Sequence, residues 1–438
     1  MNKTLALMAL LLTSALTLAH AEAIENLRTS LWGGPSLGTA ETGEAPAVLA
    51  QPVAGMEAGE TGALPSEDAR VLNSFTGGEW DEIFARRANY SGISGTTKEL
   101  FSDYNTRYIV NGTMNFAVNP PRFTADTGKV FIVNSYPDWL RKIGNKKVCV
   151  EGFARQQDDT SELIISKVLP SAQLASVTPN QGMLEIQKTA NIISSTGGKY
   201  VLGNVAWNLK HNSNGALARD QYGYFSTEWR NGVTVKPDLL ENAYFVKMVA
   251  DTEPRYGSHG LLIFTFKPGG VVAADGKPAR GLAVSLDAYY KDRTNMNYSP
   301  VDGLAGKYMV YYSVSTMERY LEFKIRDGNN ALYFYPLIVS AQQRRKLLDN
   351  ALRKATENKL GEMYSLLYNS CTNAAISMIN SVLEQSRKIS AGWLPEIVYR
   401  ASVTFPDTAA AVLLKKGVTQ QPLPAVNQSN FIKFLARN

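Results

Sequence analysis

The chain has 438 residues, of which 45% are hydrophobic, 19% charged and 10% aromatic. Those values allow two or three domains with a large core and exclude a collagen-like, coiled-coil or wholly disordered protein. The formal charge of +6 is spread along the chain, which argues against a nucleic-acid partner.

The first element in chain order is "MNKTLALMALLLTSALTLAHA" (1–21). Lys3 precedes an apolar run and "AHA" follows it, the pattern of a secretory signal cut after Ala21. No cysteine follows the apolar run, so no lipoprotein anchor is expected. No later stretch approaches the roughly 18 apolar residues of a membrane span. The expectation is an exported, periplasmic protein without a transmembrane anchor. Residues 22–68 are dominated by Ala, Gly, Glu, Pro and Thr. They read as a disordered leader, because such a composition cannot bury enough apolar surface to offset chain entropy.

Residues 70–175 change character. "RYIVNGTMNFAVN", "KVFIVNS", "KKVCVEGFARQ" and "SELIISKVLPS" are short β-rich runs separated by turn clusters, and "PDWLRKI" (137–143) reads as one short helix between the second and third strands. This layout predicts a small barrel-like, OB-like module. Residues 190–338 supply longer β-runs, including "HGLLIFTFK", "RGLAVSLDAYY", "KYMVYYSVS" and "RYLEFKIRD". Helical spacing then takes over at 340–359, with Ser340 as N-cap, at 371–387 and at 405–417. Strands followed by helices indicate an α+β fold, with the second domain spanning 190–425.

Two residues stand out within this second domain. Cys371, in "YSLLYNSCTNAA" (364–375), falls in the first turn of a helix capped by Asn369 or Ser370. Three readings are open: a core cysteine, half of a disulfide to Cys149, or a nucleophile whose thiolate the helix N-terminus favours. A nucleophile requires a base, and the chain has three histidines. His20 leaves with the signal, and His211 lies among turn formers in "NLKHNSNG". His259 opens the β-run of "SHGLLIF" (258–264), which makes it the histidine placed on rigid structure. There is no CxxC or HExxH spacing, so neither metal nor other cofactor is called for. The basic cluster Arg344, Arg345, Lys346 reads as a solvated helix face.

A histidine opening a strand, followed by further β structure and then a cysteine opening a helix, is similar to the circularly permuted papain-like (NlpC-P60-LRAT-like) arrangement. More closely, "SHGLLIF", "YFYPLIVSAQQRRKLLDNAL" (333–352), "YSLLYNSCTNAA" and "LPEIVYRASVTFPDTAAAVLLKKG" (394–417) resemble the bacterial DUF4105 family over roughly residues 245–420. Around the cysteine the family commonly has Asn-Asn-Cys-Thr-Thr, whereas this chain has Asn369-Ser370-Cys371-Thr372-Asn373. Ser370 still caps a helix. Asn373 alters the polar groups near the thiol.

The resemblance implies a cysteine hydrolase or acyl-transfer site. Cys371 would be the nucleophile and His259 its base, with the N–H groups of Cys371 and Thr372 holding the oxyanion. A third residue would orient His259. Alternation in 280–290 puts Ser285 and Asp287 on one strand face, and Asp287 is the expected residue, weighed against an exposed carboxylate without a role. The substrate class would be an amide or ester of the cell envelope: a peptide, a lipoprotein or a lipid. The alternative is a non-catalytic envelope-binding or scaffold protein with a degenerate papain-like domain.

Overall fold

A computed structural model of the chain describes residues 106–437, apart from 137–139, 158–159, 251–257, 295, 297, 300–301, 304–305, 327, 367 and 390–404. The signal segment 1–21, the leader 22–68 and residues 70–105 of the expected β-rich module lie outside the described residues. So do positions 394–404 of the C-terminal motif.

The first five strands are β1 (Thr106–Asn115), β2 (Arg122–Ala125), β3 (Val130–Ser135), β4 (Lys147–Gln157) and β5 (Thr160–Leu169), with a short helix α1 (Leu140–Ile143) between β3 and β4. They close into a barrel in the order β1-β2-β3-β5-β4. Alternation builds it: Phe123 and Ala125 on β2, and Phe131 and Val133 on β3, point inward at every second position. Every pair is antiparallel except β3 with β5.

Two helices not expected from the sequence, α2 (Ser171–Val177) and α3 (Gln181–Ile186), lead from the barrel into the second body. That body begins with β6 (Asn191–Thr196), β7 (Lys199–Gly203), β8 (Val205–Leu209), β9 (Thr227–Arg230), β10 (Val233–Val235), β11 (Leu240–Ala250) and β12 (His259–Phe266). It continues with β13 (Val271–Val272), β14 (Pro278–Ala279), β15 (Gly281–Tyr289), β16 (Met309–Thr316), α4 (Met317–Arg326) and β17 (Asn330–Pro336). The last elements are α5 (Ala341–Thr356), α6 (Cys371–Asn380), α7 (Pro406–Lys415) and α8 (Phe431–Arg437). One sheet has the order β17-β11-β12-β15-β16-β8-β9 and a smaller one β14-β13-β10-β7-β6.

The large sheet is a middle layer. One face packs on α5, α6, α7 and the small sheet through Leu262, Phe264, Val284, Leu348, Ala375 and Leu413. The other packs on α4 and α8 through Leu261, Ile263, Ala283, Met317, Leu321 and Phe431. Strands and helices are mixed, with strand predominating.

Several expectations require correction. The expected sheet is antiparallel, but β16 pairs with β8 in parallel. The run 319–327, expected as a strand, lies almost wholly in helix α4. Its buried residues Met317, Tyr320, Leu321 and Ile325 recur at helical spacing, and Phe323 between them disguises the pattern. The helix expected over 371–387 ends at Asn380. There the Asn380 side chain bonds Ile389 at both its N–H and its carbonyl and turns the chain back. The terminal helix α8 was not anticipated. Ser340 caps α5 with a full capping box to Gln343, as expected.

A short strap, residues 361–364, joins the two bodies. Met363 N–H donates to Arg107 O and Ile109 N–H to Gly361 O on the barrel side. Val310 N–H donates to Glu362 O and Tyr364 N–H to Tyr308 O on the other. Gly361 must be glycine: its φ is +89°, and a Cβ would stand 2.8 Å from Val110 Cβ. A seam of Ile109, Cys149, Met183, Tyr289, Met309, Tyr311 and Met363 packs beside the strap.

Beneath it lies a buried charge network. Glu362 accepts from Tyr108 Oη (2.8 Å), which accepts in turn from Lys129 Nζ (3.0 Å). Lys359 Nζ lies 3.3 Å from Glu362. Burial alone would raise the Glu362 carboxyl, but the ammonium groups of Lys359, Lys129 and Lys354 and the Tyr108 hydroxyl hold it down at about 2.

A carboxyl depressed in the folded state stabilises fully above its unfolded value near 4.5 and loses that contribution as pH falls through about 2. Folding stability is therefore expected to decline on acidification across that window. Glu362→Gln should lower stability at neutral pH by about 1.5–3 kcal/mol, by removing the charge that faces Lys359, Lys129 and Lys354 while Lys359 keeps its pair with Glu357, and should flatten the acid limb. Denaturant unfolding across pH measures both.

Candidate active site

The site assembles where β12 begins and α6 begins. Ser370, fully buried, caps α6 with its Oγ accepting from Asn373 N–H. Cys371 is thus the first helical residue. The first N–H groups of a helix have no intrahelical partner and carry the positive end of its dipole, so they face whatever charge forms there.

Helix α6 is lined by small residues, Ala374 and Ala375, and packs closely on β12. The closest approach is at Gly260. A Cβ there would stand 2.8 Å from Thr372 Oγ1 and 3.2 Å from Thr372 Cα. This missing side chain lets the helix start reach the end of the strand. It matters because His259 belongs to the opposite sheet face: by alternation it lies with Leu261 and Ile263 on the α4 side, whereas α6 lies on the other. The thiol meets the ring around the end of β12.

The two side chains lie close enough for the charge of each to act on the other. His259 Nε2 lies 2.6 Å from Ser285 Oγ and 3.4 Å from Asp287 Oδ1. Ser313 Oγ donates to Asp287 Oδ2 at 2.9 Å and fixes the carboxylate on its strand.

The electrostatics follow from these contacts. Burial pushes the Cys371 thiol up, but the His259 ring, the Gly260 N–H and the Thr372 hydroxyl (Sγ to Oγ1, 3.7 Å) bring it down to about 7. Burial disfavours the charged His259 ring, yet the Cys371 thiolate and then Asp287 outweigh it and raise the ring above its ordinary value. Cys149 is the contrast: burial alone raises its thiol. Both cysteines are free, which removes the disulfide reading.

The structure thus brings together Cys371, His259 and Asp287, with Thr372 beside them, and keeps His211 apart, 3.7 Å from Glu322. Sequence reasoning overlooked three contributors. Ser285 is nearer the ring than Asp287, and the period-2 reading had already put it on the right face. The Thr372 side chain and the Gly260 N–H reach the thiol, and only the tertiary approach reveals them. Asn373, a departure from the family pattern, donates through Nδ2 to Ser370 Oγ (2.9 Å) and Leu366 O (3.4 Å), within its own turn. Among the described residues no group of His, Cys, Asp or Glu is placed to hold a metal ion.

Residues 227–402 match a family model described as the Lnb N-terminal periplasmic domain. That range contains His259, Ser285, Asp287 and Cys371, and it excludes the barrel. The similarity covers less than half of the chain. No curated protein and no solved structure gives a match. Among the described residues no helix is long and apolar enough to cross a membrane.

Gly260→Ala is expected to force α6 back from β12, at a cost of about 1–3 kcal/mol. The thiol should lose its N–H donor and its ring contact together, so alkylation of Cys371 at pH 7 should slow much more than that loss of stability explains. Thermal unfolding and peptide-resolved alkylation rates measure the two effects.

Proposed function

We propose that the protein is an exported, periplasmic thiol enzyme, a hydrolase or acyltransferase acting on an amide or ester of the cell envelope. The observation that carries this reading is Cys371 at a helix N-terminus brought against the strand that carries His259, with the thiol drawn down to about 7. The periplasmic description of the matched family supports the location.

The chemistry would run as follows. The Cys371 thiolate attacks the substrate carbonyl carbon, and its oxygen becomes an oxyanion facing the N–H groups of Cys371 and Thr372. The imidazolium of His259 protonates the departing amine or alcohol as the acyl–sulfur bond remains. The neutral ring then takes a proton from water, in a hydrolase, or from an acceptor nucleophile, in a transferase. That nucleophile displaces the thiolate and releases the acyl group. Ser285 and Asp287 hold the ring through Nε2, and the carboxylate favours its charged form.

On this reading the second body has the permuted papain-like arrangement, since the histidine strand precedes the cysteine helix and the sheet lies between. The resemblance to the DUF4105 family supports the same assignment. The barrel order β1-β2-β3-β5-β4, with a helix between β3 and β4, supports an OB-like reading of the first.

Iodoacetamide should modify Cys371 with a rate that rises through about pH 7. His259→Asn should move that midpoint beyond the usual thiol value of about 8.5, because burial then acts unopposed. Asp287→Asn should lower the ring's own titration, seen by imidazole NMR, while Ser285→Ala, which removes no charge, should shift it less. A Cys371 that reacts no faster than free cysteine, unaffected by His259→Asn, would leave a binding or scaffold role instead.

A further inference from the structure

The barrel and the nucleophile are connected by a short series of hydrogen bonds. Glu362 uses both carboxylate oxygens: Oε2 accepts from Tyr108 Oη on β1, and Oε1 accepts from Asn369 Nδ2 at 3.0 Å. Asn369 Nδ2 also reaches Met363 O at 3.2 Å. Its own N–H donates to Ser365 O, and Ser365 N–H returns to Asn369 O, closing a tight turn. Two residues later the chain is at Cys371. Lys129, also from the barrel, holds Tyr108 from its far side at 3.0 Å. Glu362, Lys359 and Ser370 are almost fully buried, so this is an internal strut rather than a surface contact.

We propose that the barrel is a positioning element for the nucleophile: Tyr108 and Lys129 fix Glu362, Glu362 fixes Asn369, and Asn369 sets the turn from which Cys371 enters its helix. The proposal rests on the reading of Cys371 as the nucleophile and adds a role for the barrel, which lies outside the matched family region. Glu362 and Asn369 are positioning residues, because neither touches the thiol. The physical argument is the energetics of a buried, charge-assisted network. Its centre, Tyr108 and Glu362, is buried and has little water to fall back on, so losing one partner there displaces the other rather than being absorbed locally. The strap is bonded on both edges, and Asn369 is the residue that ties the entry of α6 to it through Glu362. A displacement near 1 Å there is enough to spoil the thiol–imidazole contact, and misplacements of that size cost on the order of 100-fold in rate.

The test uses the full chain with four proteins: wild type, Tyr108→Phe, Glu362→Gln and Val133→Ala. Val133 lies in the barrel core and makes none of the strut's side-chain bonds. It controls for loss of barrel stability alone. Peptide-resolved alkylation of Cys371 across pH and amide hydrogen exchange of residues 364–375 are read alongside thermal unfolding. Tyr108→Phe and Glu362→Gln should each slow alkylation at pH 7 at least about tenfold, raise the midpoint above about 7 and speed exchange in 364–375. Val133→Ala should lower thermal stability without moving any of the three. Equal effects of Val133→Ala and Tyr108→Phe would reduce the barrel to general support and overturn the proposal, as would unchanged exchange in both strut variants. If wild-type Cys371 proves unreactive, the nucleophile reading falls, and exchange in 364–375 alone decides whether the barrel sets this turn.

Discussion

The closeness of one helix to one strand governs everything at this site. Helix α6 reaches the end of β12 because Gly260 has no side chain where Thr372 needs the space. Without that approach the thiol and the imidazole, which belong to opposite faces of the large sheet, would be separated by the sheet's thickness. With it, the Gly260 N–H, the Thr372 hydroxyl and the His259 ring converge on a single sulfur. Desolvation of an isolated thiol would suppress its ionisation. Here it strengthens the attraction between sulfur and ring, since the same burial that penalises charge also removes the water that would screen it.

The rest of the molecule can be read as support for that contact. Helices α5 and α7 press α6 onto the sheet, and α4 closes the opposite face behind His259. Ser285 and Asp287 sit two residues apart on β15, on the α4 side, and approach Nε2. The loop entering α6 is fixed by the strap, and the strap is a shared edge of barrel and sheet.

How much of this could be read from the sequence varies by element in an instructive way. Cys371 and His259 are rare residue types placed at the starts of regular elements, and cap chemistry and β-alternation are local rules, so both positions were legible. The same alternation put Ser285 on the face of Asp287, but carboxylates are the more familiar partners of histidine and the hydroxyl was passed over. Helix α4 was misread because Tyr320, Leu321 and Phe323 in close succession look like a buried strand. Only the longer spacing from Met317 to Ile325 betrays the helix. The Glu362 network was invisible for a different reason. Tyr108 and Glu362 are 254 positions apart, and nothing about a tyrosine in a β-run or a glutamate in a turn announces a partner at that separation.

That separation has a consequence for the order in which the protein can be built. All five barrel strands come from one contiguous stretch, so the barrel has every pairing it needs once residue 169 has emerged. The strap and α6 arrive about two hundred residues later, and pairing across so long an interval is slow because loop closure must come first. A chain delivered N-terminus first would therefore hold a finished barrel waiting for its last edge. Its sulfur would remain an ordinary, weakly ionised thiol throughout delivery and ionise near pH 7 only when the strap closes and α6 reaches β12.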